Sequence, residues 1–215
     1  MNLLFARFGV WIERRPLLRF VAAVLALLPA AFVLWHALAA ELAAPATLVT
    51  DAVLRIWLPN VVEQTSLQGH DLLIVSTYGE SGGRIMAAQN GVEPLVFAIN
   101  TRLLSYSVPF YAALYFASPM RGGIDRFAWG MVILWLLLTV GLLAVATKDL
   151  MFGLGALFLE LPATPSPEAI ALSYQFSTLL VPTLGPMLLW AYAARDSEAF
   201  LSLLGSSRRP AQSSD

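Results

Sequence analysis

The sequence predicts a membrane-embedded all-α protein with a small extracytoplasmic β insertion: four transmembrane helices, both termini in the cytoplasm, and a β-meander between helices 1 and 2. Three observations predict it. Of the 215 residues, 58% are hydrophobic and only 13% charged, with a mean hydropathy of +0.71, far from the balance of a soluble domain. Four long stretches carry no charged side chain. Between the first two lies a segment in which short β-patterned runs alternate with glycine-containing turns.

Charge-free runs are the sharpest guide to spans, because a charge at mid-bilayer costs about 2.5–3.5 kcal/mol. They run from Phe20 to Ala40, Leu103 to Met120, Phe127 to Thr147 and Ala169 to Ala194. The first and third reach about 31 Å at ~1.5 Å per residue, matching a hydrocarbon core of roughly 30 Å. The second is just long enough, and the fourth has length to tilt or kink. The chain then divides into a cytoplasmic lead (1–19), a first span (20–40), an outer segment (41–101), a second span (102–120), an inner loop (121–126), a third span (127–147), an outer loop with an interfacial helix (148–168), a fourth span (169–194) and an inner tail (195–215).

Orientation follows from the cations. Arg7, Arg14, Arg15, Arg19, Arg121, Arg126, Arg195, Arg208 and Arg209 fall on the predicted inner side, against Arg55, Arg84, Arg102 and Lys148 outside. The shorter inner segments thus hold most of the positive charge, as the positive-inside rule requires. A cleavable signal peptide is the rival reading of the first span, since "HALAAELAA" resembles a small-residue cleavage site. The apolar run and charged lead are both longer than such a peptide uses. Ala22, Ala26 and Ala30 recur on one face of that span, where a neighbouring helix can approach closely.

In the outer segment, "TLVTDAVLRIWL" sets Val49, Val53 and Trp57 on one side, Leu54 and Leu58 beside them, and Asp51 and Arg55 opposite. This predicts an amphipathic helix on the membrane surface, with Trp57 in the interfacial belt and Pro59 ending it. "DLLIVSTY", "RIMAAQ" and "PLVFAIN" follow as strands, punctuated by "GESGG" and "NGVE". After the third span, "LMFGLGALFLELP" is too short to cross and predicts a surface or re-entrant helix, and "PATPSPE" an extended loop. In the fourth span Pro182 and Pro186 flank Gly185, predicting a kink whose freed carbonyls Ser177, Thr178 and Thr183 could satisfy.

Several chemistries are excluded or weak. No cysteine is present, which removes disulfides, thiolate nucleophiles and thiolate metal sites. Two histidines, His36 and His70, cannot build a histidine cage; His36 reads as an interfacial group and His70 as a turn residue. A net charge of −1 gives no basic excess for nucleic acid, so membrane lipids are the expected environment and no cofactor is expected. "GESGG" matches the G-x-S-x-G elbow around Ser81, but no histidine follows it. Lys148, the only lysine, stands beside Asp149 and reads as a snorkelling anchor rather than the base of a serine–lysine dyad. The acids Glu41, Glu63, Asp71, Glu80, Glu93, Asp149, Glu160 and Glu168 show no spacing that pairs any two.

The stretch "NTRLLSYSVPFYAALYFASP", residues 100–119, opens an apolar helix with Asn100, Thr101 and Arg102. There an arginine reaches phosphates and an asparagine can cap a helix start. Tyr106 lies about a turn deeper, and Pro109 sits early in the helix, where its missing N–H does least damage. The wider pattern "VFAINTRLLSYSVPFYAALYFASP", a strand ending in Asn, a Tyr-containing link, a proline and an aliphatic helix closing in Ala-Ser-Pro, resembles the exosortase H-associated membrane proteins. It departs from that family's pattern at Thr101, where a proline often stands, and at Ser107 and Val108, where a glycine often precedes the helix proline. The resemblance implies an accessory protein of the bacterial inner membrane, encoded with an exosortase that processes C-terminal sorting tails. It implies contact with the exosortase or its substrate through candidates Trp57, Asn100, Arg102 and Tyr106. It transfers no catalytic residue, since that enzyme resembles a cysteine transpeptidase. The alternative is a small transporter or lipid-handling subunit, which a water-accessible cavity at the Pro182–Pro186 break would distinguish.

Overall fold

The computed structural model describes residues 16–89, 91–118, 123–162, 164–195 and 200. Most of the expected cytoplasmic lead, loop and tail, with Arg7, Arg14, Arg15, Arg121, Arg208 and Arg209, lies outside the described residues. Among the described residues, three helices are long and apolar enough to cross a membrane: Leu17–Trp57, Gly123–Leu154 and Pro167–Ala194.

The first helix, α1 (Pro16–Trp57), is one element bent at Leu38, where φ is −113° and ψ 16°. The expected amphipathic segment is its second limb, continuous with the span. Its buried stripe is Ala43, Ala46, Thr50, Leu54 and Leu58, whereas Val49 is 47% exposed. Small side chains and two leucines thus face the protein. Trp57 is half-buried, and the helix stops before Pro59 as predicted. Ala22, Ala26 and Ala30 are exposed, so no helix of the described chain uses that stripe.

Four strands follow: β1 (Val62–Gln68), β2 (Asp71–Ser81), β3 (Arg84–Ala87) and β4 (Pro94–Asn100). The expected meander is not the topology. Residues 71–75 of β2 pair with β1 on one edge and β4 on the other, and Gly79 pairs with β3 and β4. β2 is therefore central, with β1 and β3 in succession along one edge. β1, "VEQTSLQ", escapes sequence reading because one hydrophobic side chain among its inner positions leaves no alternating pattern. "GESGG" closes the β2–β3 hairpin: Gly82 and Gly83 make the turn, and Ser81 is the exposed last residue of β2, paired with Arg84.

Chain then re-enters the helical part through α2 (Arg102–Ser105) and α3 (Ser107–Ala117), separated at Tyr106. The expected second span is thus a broken pair, and α3 alone rises about 16 Å. The next helix, α4 (Gly123–Leu154), overruns the expected third span at both ends and carries into α5 (Ala156–Leu159). Leu154 and Phe158 are buried there in the core, so "LMFGLGALFLELP" is packed structure. Ser166 caps α6 (Pro167–Gln175), accepting from the Ala169 N–H. A π turn, Phe176–Leu180, then leads into α7 (Val181–Ala194). The Val181 N–H bonds the Phe176 carbonyl five residues back, next to Pro182, which has no N–H to offer. A widened turn is how a helix absorbs such a proline without ending.

Two cores result. One joins the second limb of α1, the sheet and the far half of α4 through Leu54, Leu72, Ile74, Ile99, Leu142, Leu150 and Phe158. Phe97 of β4 lies so close to Gly153 that a Cβ there would stand 2.2 Å from the ring. The other joins α1, α3, α4 and α7 around Phe20, Tyr111, Tyr115 and Trp190. Tyr111 and Phe127 stack with centroids 5.5 Å apart, and Phe20 stacks on Trp190 at 5.0 Å. Outside that second core the bundle presents Leu25, Val33, Leu34, Ile133, Leu136, Val140 and Leu188. Such a surface suits lipid, and helices suit it because they satisfy their own backbone groups.

Candidate functional site

The site lies where the sheet meets the helices. The β1–β2 turn brings His70 to Arg102, 32 residues away in sequence, and an Arg102 Nη2 hydrogen bonds His70 Nε2. A guanidinium only donates, so Nε2 must accept and the imidazole proton sits on Nδ1. The same Nη2 approaches the His36 carbonyl at 3.5 Å, two residues before the bend of α1. A donor inserted beside a helical carbonyl is a recognised cause of such bends. Three segments, α1, the β1–β2 turn and the start of α2, thus meet at one cation.

The backbone holds this arrangement firmly. Thr101, fully buried, donates to the His70 carbonyl from both its N–H at 2.9 Å and its hydroxyl at 2.8 Å. The Asn100 side-chain oxygen accepts from the Arg102 N–H at 3.0 Å. One turn on, buried Ser105 accepts from the Trp35 indole at 3.2 Å, and the Tyr106 hydroxyl meets Thr183 of α7 at 3.3 Å. The polar opening of this apolar stretch is therefore a set of ties between elements.

What the cluster lacks is an acceptor. Among the described residues, the buried side-chain nitrogens and oxygens without a hydrogen-bond partner are His70 Nδ1 and Arg102 Nε. Both are N–H donors in the state just described, and no carboxylate pairs with Arg102 among the described residues. A buried donor left unsatisfied costs about 1–3 kcal/mol, more when charged. A carboxylate or phosphate oxygen would relieve it.

Of the residues predicted from sequence, Asn100, Arg102 and Tyr106 stand together on this junction. Trp57 does not join them: it lies 19 residues past Leu38, roughly 28 Å further along α1. His70, His36, Thr101, Ser105, Trp35 and Thr183 were missed as partners. A histidine in a glycine-flanked turn was the one local signal, and nothing local says which cation such a turn will reach.

The enzyme and transport readings find little geometry. Lys148 pairs with Asp149 and lies 4.9 Å over the Tyr174 ring, as an anchor would. At the proline break, Thr178 donates to the Tyr174 carbonyl at 2.7 Å. A void of only about 10 Å³ lies beside Ser177 and Pro182, room for about one water.

The fold and site define a helical membrane protein that carries a small sheet docked on one end of its bundle. Residues 14–197 match the family model described as exosortase H-associated membrane protein, and the chain belongs to that family. No curated protein and no solved structure matches it significantly.

Proposed function

We propose that this protein is a non-catalytic accessory subunit of exosortase H in the bacterial inner membrane, docking the enzyme or its substrate at the periplasmic face. The observation that carries the reading is the Arg102–His70 junction, whose two buried donors lack an acceptor within the described chain. A carboxylate on the partner would meet the part-exposed rim of the Arg102 guanidinium, on the Nη2 side, and offset the charge that the junction leaves unpaired. Asn100, Tyr106 and Trp57 flank or extend the contact. The absence of any cysteine removes the thiol nucleophile that an exosortase-like activity would need. The exposed stripe Ala22, Ala26 and Ala30 supports close approach of a partner helix.

This reading places both termini in the cytoplasm after four passes. Ser105 meets Trp35, and Ser118 meets Trp190, which stacks on Phe20. Residues 102–118 therefore run antiparallel to the first limb of α1, over about 20 Å from Ser105 to Ser118, which supports a second pass. A reporter fused near residue 80 should be active only outside the cytoplasm.

The test is co-purification of the tagged full chain with exosortase H from mild detergent. Arg102→Gln should weaken the association by about thirtyfold or more, as loss of one partner of a buried charge pair does, and recovery should fall accordingly. Unchanged recovery, or normal sorting in a strain cleanly deleted for this chain, would sink the proposal.

A further inference from the structure

The sheet keeps an open edge along β4. The Thr101 N–H bonds the His70 carbonyl, and Ile99 and Phe97 stand opposite Leu72 and Ile74 at successive steps of two residues. Main-chain groups alternate in direction along a strand, so those of Phe97 and Ile99 face β2 and those of Val96 and Ala98 face outward. β4 pairs with β2 alone among the described strands, and no described group bonds the outward N–H and C=O of Val96 or Ala98. We propose that this edge takes up an extended segment of a second membrane protein as an added strand, the segment being one just outside a transmembrane helix of that protein.

Unpaired edges are normally blunted by charge, proline, bulges or shortness. The strands on the other side of β2 are blunted in this way. β1 carries exposed Glu63 at a register shift between Val62 and Gln64, and β3 is only 4 residues long and begins at exposed Arg84. β4 has none of these guards: "PLVFAIN" holds its proline at the first position and has no charged side chain. Leu95, Phe97 and Ile99 face inward, which leaves Val96, Ala98 and Asn100 exposed on the outer face.

The direction of β4 selects the occupant. A Cβ on Gly153 would stand 2.2 Å from the Phe97 ring, and one on Gly141 would stand 3.3 Å from Leu104. Those two glycines are about 18 Å apart along α4, so the chain from Phe97 to Leu104 descends beside α4, a helix long and apolar enough to cross the membrane. β4 thus stands along the bilayer normal, and in the four-pass reading above, on which its height rests, its Asn100 end meets the headgroups. A second copy of this chain is unsuited. The two-fold axis that pairs β4 antiparallel with itself lies across the strand, and it would turn the second copy upside down in the membrane. A guest strand along the normal instead begins at the bilayer, where a transmembrane helix ends. Antiparallel pairing, the more stable per residue, makes it the segment that follows that helix.

Amide hydrogen exchange of the full chain in lipid nanodiscs, read residue by residue by NMR, tests the proposal. The probe is a synthetic peptide in which a Leu-Ala transmembrane helix is followed by a Thr-Val repeat. Before it is added, Phe97 and Ile99 should exchange more slowly than Val96 and Ala98. Probe in excess should slow Val96 and Ala98 about tenfold and leave Phe97 and Ile99 unchanged. The same repeat without its helix should slow them far less, because the membrane no longer concentrates it at the edge. A probe N-methylated throughout its repeat, which leaves the protein untouched, should have no effect. No slowing with the intact probe, equal slowing by the helix-free or methylated repeat, or uniform slowing at all of these amides each overturns the proposal. None of the readouts uses exosortase H, so failure at this edge and failure of the Arg102 contact are separate results.

Discussion

Gly153→Ala probes the joint that holds the sheet on α4, and its sign should depend on Phe97. The added Cβ would stand 2.2 Å from Phe97 Cε1 and 2.5 Å from Cζ, far inside the ~3.5–4.0 Å optimum for carbon contacts. Overpacking of this kind costs about 1–3 kcal/mol. Against it, alanine gains up to about 1 kcal/mol over glycine in a helix, and less at Gly153 because α4 ends at Leu154. The clash wins, so Gly153→Ala should destabilise by roughly 1 kcal/mol, or about 2–4 °C in melting temperature. With Phe97→Ala already present the ring is gone and only the helix gain remains. The same substitution should then stabilise, by up to about 1 kcal/mol. The coupling between the two sites is thus about 1–2 kcal/mol, within the range for residues in contact. Thermal unfolding of the four proteins in mild detergent, followed by circular dichroism, measures it. If Gly153→Ala acts with the same sign in both backgrounds, the close packing of β4 on α4 is wrong.

Three further predictions follow from individual contacts. Thr101→Val removes the hydroxyl donor to the His70 carbonyl, which keeps its bond from the Thr101 N–H. The loss should be about 1 kcal/mol, read as roughly fivefold faster amide exchange at residues 70 and 101, and no change would contradict the double tie. Leu142→Ala, at a fully buried position, should cost about 2–5 kcal/mol. Leu136→Ala, 59% exposed on the same helix, should stay within about 0.5 kcal/mol; equal losses in detergent melts would refute the assignment of faces. Trp190→Phe keeps the stack on Phe20 but deletes the indole N–H that bonds Ser118 at 2.8 Å. A loss of about 1 kcal/mol is expected in the same assay, and an unchanged midpoint would show that the bond contributes nothing.

The sequence by itself determined the solvent and the long helices. A chain this poor in charge belongs in lipid, and the charge-free runs mark the helices because each helix satisfies its own backbone there. It also set the helix stop before Pro59, three of the four strands and the pairing of Lys148 with Asp149, all of them consequences of neighbours in the chain. The tertiary structure decided what depends on residues far apart. It made β2 the central strand, enlisted β1 without an apolar pattern of its own, turned the small-residue stripe of α1 outward, and broke the second apolar run at Tyr106. Above all it carried His70 to Arg102. That turn looked ordinary because its meaning lies in a cation 32 residues downstream, and only the docking of the sheet on the helices brings the two within reach of a hydrogen bond.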